Sequence, residues 1–173
     1  MQVIFMSHPQ FHSSNKLSQV EQVLSPWQAN IIAGNTAFER GALIEARDKY
    51  TTAHTLAARL LSQFSQAKIC QSVISAIEHC CPAFVVAAHN LADTYRAMNQ
   101  AEQACQCLCD VHISLSHLLL HSCDTVRTVV VHHHHKTYTE LVRFAKLHSH
   151  YPQLIEQINQ TLSYTPDQTA TVH

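Results

Sequence analysis

Glycine and proline are scarce in this chain of 173 residues, at 2 and 5. So little turn chemistry leaves small scope for a multi-stranded sheet and favours long helices joined by short connections. Two glycines also leave no room for a Gly-rich phosphate loop. Charge is scarce too: Asp, Glu, Lys and Arg make up 13% of the residues against 46% apolar ones. That balance excludes a disordered acidic or basic tail protein. Lys plus Arg number 11 and Asp plus Glu 12. No basic stripe appears, so nucleic acid is not expected as a partner. No stretch approaches the roughly 20 apolar residues of a membrane span, and no membrane partner is expected. The opening MQVIFMSHPQFHSSNK has an apolar run but neither a charged flank nor a long apolar core, so a signal peptide is not expected. No Ser-His-Asp motif is readable, and an enzyme is not expected.

What remains is a chain long enough to bury a core as one helical domain over residues 1–173, with 1–13 and 164–173 flexible. A short helix is expected from about Asn15 to Leu24. Ser25-Pro26 then reads as the start of a new helix that Gly41 ends after Arg40. From Ala42 to Cys81 there is neither Gly nor Pro. Leu43, Ala46, Tyr50, Ala53, Ala57, Leu60 and Phe64 alternate by threes and fours, the stripe of a packed helix. One very long helix or two would fit; the base rate of helix length favours two, broken near Ser62 to Ser65. Pro82 is expected to open the next helix, to about Met98, with Asn99-Gln100 as a turn before a helix from Ala101 to about His121. Asp124 suits the N-cap of a helix from Thr125 to about His148, and Pro152 the start of a last one ending at Leu162.

Gly34, Phe38 and Gly41, followed by Ala46, Tyr50 and Ala53, resemble one tetratricopeptide repeat. In that family a small residue lets two helices approach, an aromatic follows, a glycine turns the chain, and small–aromatic–small residues form the packing face of the second helix. Ala92, Tyr95, Asn99, Ala104, Leu108 and Val111 are a weaker second match, with Asn99 at the place of the turn glycine. Gly34 and Ala92 lie 58 positions apart, where the family repeats at about 34. An extra helix, about Phe64 to Cys80, is therefore expected between hairpins at about 26–61 and 83–121. The fold expected is all-α: antiparallel helical hairpins in a tetratricopeptide-like bundle with an inserted helix.

The resemblance implies a protein-protein interaction module whose first helices line a concave face for a peptide or protein. The positions then pointing into the groove are Ile31, Asn35, Asn90 and Asp93. One subgroup of the family clamps a peptide carboxylate with a Lys and two Asn; Asn35 and Asn90 stand at the two Asn places, but Ile31 stands where the Lys would be.

The 7 Cys and 15 His open a second reading, a zinc- or copper-binding helical protein. Residues three or four apart share a helix face. Cys105, Cys109 and His112 form one line and His117 and His121 another, while of the run His132 to His135 only the end members can meet. The same cysteines sit beside the core row Ala104, Leu108 and Val111, so interhelical packing explains them without a metal or other cofactor. The odd Cys count, clustered along single helices, fits reduced thiols in a cytoplasm. Self-association into a homo-oligomer stays open.

Overall fold

The computed structural model describes residues 19–166. They form six helices: α1 Gln19–Glu39, α2 Leu43–Gln66, α3 Gln71–Ala97, α4 Ala101–Leu118, α5 Asp124–Leu147 and α6 Pro152–Leu162. No strand occurs among the described residues. The helices pair as antiparallel hairpins α1–α2, α3–α4 and α5–α6. Each hairpin packs on the next through α2 on α3 and α4 on α5, and α1, α3 and α5 lie side by side in succession.

The first two turns are the same object built from different residues. At the first, Gly41 has φ +77°; at the second, Asn99 has φ +59°. The Ala42 amide donates to the Ala37 carbonyl at 2.9 Å and the Gly41 amide to Phe38 at 3.0 Å. In the second turn Gln100 donates to Tyr95 at 2.8 Å and Asn99 to Arg96 at 3.0 Å. Both are the left-handed helix stop that satisfies the last carbonyls. Gly, and less easily Asn, adopt the conformation it requires.

At Gly34 the α2 side chain of Tyr50 lies directly against the α1 backbone. A Cβ there would stand 2.5 Å from Tyr50 Cε1, so the tyrosine ring occupies the room a side chain would need. Ala46, Tyr50, Ala53 and Ala57 are buried along α2, as the stripe requires. On α1, however, Gly34 and Ala37 are buried, while Phe38, expected to close the hairpin, turns outward with 37% exposure.

Four expectations about helix ends are corrected. Pro26 lies inside α1, not at a start. The preceding short helix is its first turns, and positions 15–18 of that expectation lie outside the described residues. Ser25 and Pro26 are exposed, and the Asn30 side-chain amide donates to the Pro26 carbonyl at 2.8 Å. Pro82 likewise lies inside α3. The carbonyl four residues back belongs to exposed Glu78, where water can replace the amide that proline lacks. The helical segment inserted between the hairpins is thus the first half of α3, while α2 and α3 are two helices broken at 67–70 rather than near Ser62 to Ser65. Asp124 is the first helical residue of α5, paired with Arg127, and not its cap.

An 18-residue window of α3 has mean hydropathy 1.3, contrary to the expectation of no such stretch. By length and composition alone this helix could cross a membrane; half of that window is buried inside the protein. At the start of the expected tail the Tyr164 hydroxyl lies 3.0 Å from His117 Nε2. Positions 1–13 and 167–173 lie outside the described residues.

Candidate functional site

The ends of α1, α3 and α5 converge around a cavity of about 570 Å³. Phe38 lines it from α1, Tyr50 from α2, Asn90, Asp93, Arg96 and Ala97 from α3, and His148 from the end of α5. On α3 these positions recur at three- and four-residue spacing, so they share one face. Asp93 accepts from Arg96 at 2.9 Å. His148 stacks on Phe144 with ring centroids 4.0 Å apart, which fixes its place on the rim. The Tyr50 hydroxyl donates to Asn35 Oδ1 at 2.7 Å, orienting that exposed amide. Burial raises the Tyr50 pKa, and Glu39 and Asp93 add to the effect, so the phenol stays a donor.

A second cavity of about 380 Å³ continues along α3 towards its start. Pro82, Val85, Val86 and His89 face His133, Lys136 and Glu140 of α5 across it. The His89 Nε2 atom is buried without a partner. Burial lowers the His89 pKa, opposed by Glu140 and Asp93. Glu140 is held by Arg143, which donates to it at 3.0 Å.

Of the four groove residues expected from sequence, Asn90 and Asp93 line the first cavity, and Asn35 borders it through Tyr50. Ile31 does not point into the groove; it packs half-buried on the cluster of Ala37, Ala46, Tyr50 and Leu91. Phe38, Arg96 and His148 were not foreseen there. Arg96 had a local signal, three residues after Asp93 on the same helix. His148 had none, because only the third hairpin's packing brings it to α3.

The expected metal ligands are not brought together. Cys105 and Cys109 have sulfurs 3.9 Å apart. Both are buried in a core cluster with Leu141, Phe144, Leu154 and Ile158. His112 Nδ1 lies 2.8 Å from the Thr137 hydroxyl. His117 contacts Tyr164, and His121 Nε2 lies 3.0 Å from the Ser65 carbonyl. His132 sits edge-on to His133, and His135 stacks on Tyr138. Among the described residues no three His, Cys, Asp or Glu side chains are placed to hold a metal ion. Each of these ligand types has instead been used for packing or for a neighbouring polar group.

All seven cysteines are unbridged. Burial pushes the Cys80 and Cys81 thiols up to about 11 and about 12, so neither is a ready thiolate.

The chain belongs to the family described as Protein of unknown function (DUF2753), which matches residues 25–172. No curated protein and no solved structure matches the chain.

Proposed function

We infer that this DUF2753 member is a tetratricopeptide-like interaction module, not an enzyme, and that it holds an extended peptide or a partner's helix along α1, α3 and α5. The observation that carries this reading is the cavity of about 570 Å³ where the three helices meet. Its size falls in the usual range for binding sites, about 300–1,000 Å³. Its lining combines an aromatic anchor with hydrogen-bonding groups. Phe38, with its ring partly in solvent, offers an apolar surface for a partner side chain. Asn90 and the oriented Asn35 offer donors and acceptors suited to a peptide backbone. Apolar burial supplies most of the affinity in such a site, and the carboxamides supply register. The resemblance of the segment from Gly34 to Ala53 to a tetratricopeptide repeat supports the same reading, as does the left-handed stop shared by two successive hairpins. The unbridged thiols favour a reducing cytoplasm as the setting.

The test is selection of random peptides on the purified protein, followed by titration of the enriched sequences. Phe38→Ala with Asn90→Ala is expected to weaken binding by at least about tenfold, roughly 1.4 kcal/mol, at an unchanged melting temperature. Enriched peptides that bind the folded double variant as tightly as the native protein would move the site away from this groove.

A further inference from the structure

The seam that joins the third hairpin to the second is interrupted by imidazoles. Along α5 the buried positions are Val126, Val130, Thr137, Leu141 and Phe144. The turn between Val130 and Thr137, where the same stripe calls for another apolar residue, is occupied by His133 and His134. On α4 the facing layer holds His112, 3% exposed, and buried Ser116. The rings of His112 and His134 stack with centroids 4.1 Å apart. His112 Nδ1 lies 2.8 Å from the Thr137 hydroxyl, and His134 Nε2 lies 2.9 Å from the Ser116 hydroxyl. One apolar cluster, with Val111, Leu115, Val126 and Val130, ends on one side of this layer. Another, with Leu108, Leu141, Phe144 and Ile158, begins on the other.

Among the described residues no carboxylate pairs with the imidazoles of this layer; Glu140, which shares the cavity with His133, is held by Arg143. His112 is acted on by burial and then by His134; His134 by burial and then by His135; His133 by burial and then by Lys136 and His132. All of these oppose a proton. From α3, His89 lines the cavity it shares with His133. Glu140 and Asp93 act on His89, while no carboxylate acts on His112, His133 or His134 among the described residues. From α6 the neighbouring cluster receives Leu154 and Ile158, which cannot carry charge.

We propose that the His112–His134 layer is an acid-sensitive latch: in mildly acidic solution its protonation unseats the α5–α6 hairpin from α4 while α1 and α2 stay folded. In the closed seam burial pushes His112 down to about 4. In an opened chain the same imidazole takes a proton near about 6.5. The open form therefore binds more protons between those values. The seam has its full stability above the higher one, loses it as the pH falls below that, and levels off beneath the lower one. For His112 alone this gap shifts the open-to-closed ratio by up to about 300-fold. Opening would also remove the wall that His148 gives the groove, so a ligand bound there would oppose it.

The test is hydrogen exchange by mass spectrometry on the full chain at about pH 7.5 and about pH 5, corrected for the chemical exchange rate at each pH. Protection of α5 and α6 is expected to fall at least about tenfold at the lower pH, and further than that of α1 and α2, where burial holds only His54 below its ordinary pKa. Glutamine is neutral at both values and can still hydrogen-bond, so His112→Gln and His134→Gln should each reduce that fall. If one of them fails to fold, the other carries the comparison. Equal protection of native α5 and α6 at both values would overturn the latch. So would loss spread evenly over all six helices, or a fall of the same size in the folded Gln variants.

Discussion

The first hairpin and the second solve one packing problem with different pairs of side chains. Where α1 meets α2, the small partner is Gly34 and the large one is Tyr50. Where α3 meets α4, the same two places, each 58 positions later, hold Ala92 and Leu108, which share one buried cluster. A methyl gained on one side is matched by a smaller group on the other. The difference is in what else the large residue can do. Tyr50 reaches past Gly34 and hydrogen-bonds Asn35 on the groove side, at 2.7 Å; Leu108 has no polar tip. The first hairpin therefore couples its own packing to the candidate binding face, and the second does not.

The comparison breaks most severely at Gly34. Gly34→Leu has to move the Tyr50 ring, since even a Cβ would come within 2.5 Å of it. Overpacking costs roughly 1–3 kcal/mol, and this site should reach the upper end or exceed it. Ala92→Leu meets a layer that already accepts a methyl and should cost less within that range. Urea unfolding midpoints at unchanged slope give both values. Equal midpoints for the two variants would mean that the hairpins are not distinguished by this contact.

A smaller effect sharpens the comparison. Gly34→Ala with Tyr50→Leu rebuilds the second hairpin's pair in the first. Each single change destabilises, one by crowding and the other by a cavity and a lost hydrogen bond. The double variant should recover about 1 kcal/mol relative to their sum, the scale of direct coupling between contacting residues. Strict additivity in the unfolding cycle would show that the two residues do not compensate each other.

The turns come next. Nothing lies within 4 Å of a Cβ built at Gly41, so Gly41→Ala is opposed only by its positive φ. The expected loss is about 1–2 kcal/mol. The smallest change is at Asn99, which already tolerates φ +59°. Asn99→Gly should shift stability by under about 1 kcal/mol, upwards if backbone strain outweighs the entropy that glycine adds to the unfolded chain. Thermal melts of the two variants side by side check the order. A larger change at Asn99 than at Gly41 would show that the Asn side chain does more than fill a turn.

Several features of the fold were readable from local pattern. The three-and-four spacing from Leu43 to Phe64 marked α2, and Gly41 and Asn99 marked the turns, because a helix face and a left-handed stop are properties of a few neighbouring residues. Asn90 and Asp93 were readable as groove residues for the same reason: the register of α3 places them on one face with Arg96 and Ala97. Ile31 was misplaced by one face, since it is apolar enough to pack on Tyr50 and does so.

The sequence by itself determined that this chain is helical, where its first two hairpins turn, and that the contacts of the first recur in the second at a fixed offset. Those are local consequences of backbone sterics and side-chain period. Only the tertiary structure decided that Pro26 and Pro82 sit within helices: the helix around each is held by its packing, and for Pro82 the residue whose carbonyl loses its amide partner, Glu78, is exposed. It also decided that Phe38 turns outward while Ala37 is buried with Ala46, Tyr50 and Leu91. And it decided that the Cys and His residues meet as packing and stacking partners rather than as metal ligands. Ligand convergence depends on which faces of α4, α5 and α6 oppose one another, and residue spacing along a single helix carries no information about that.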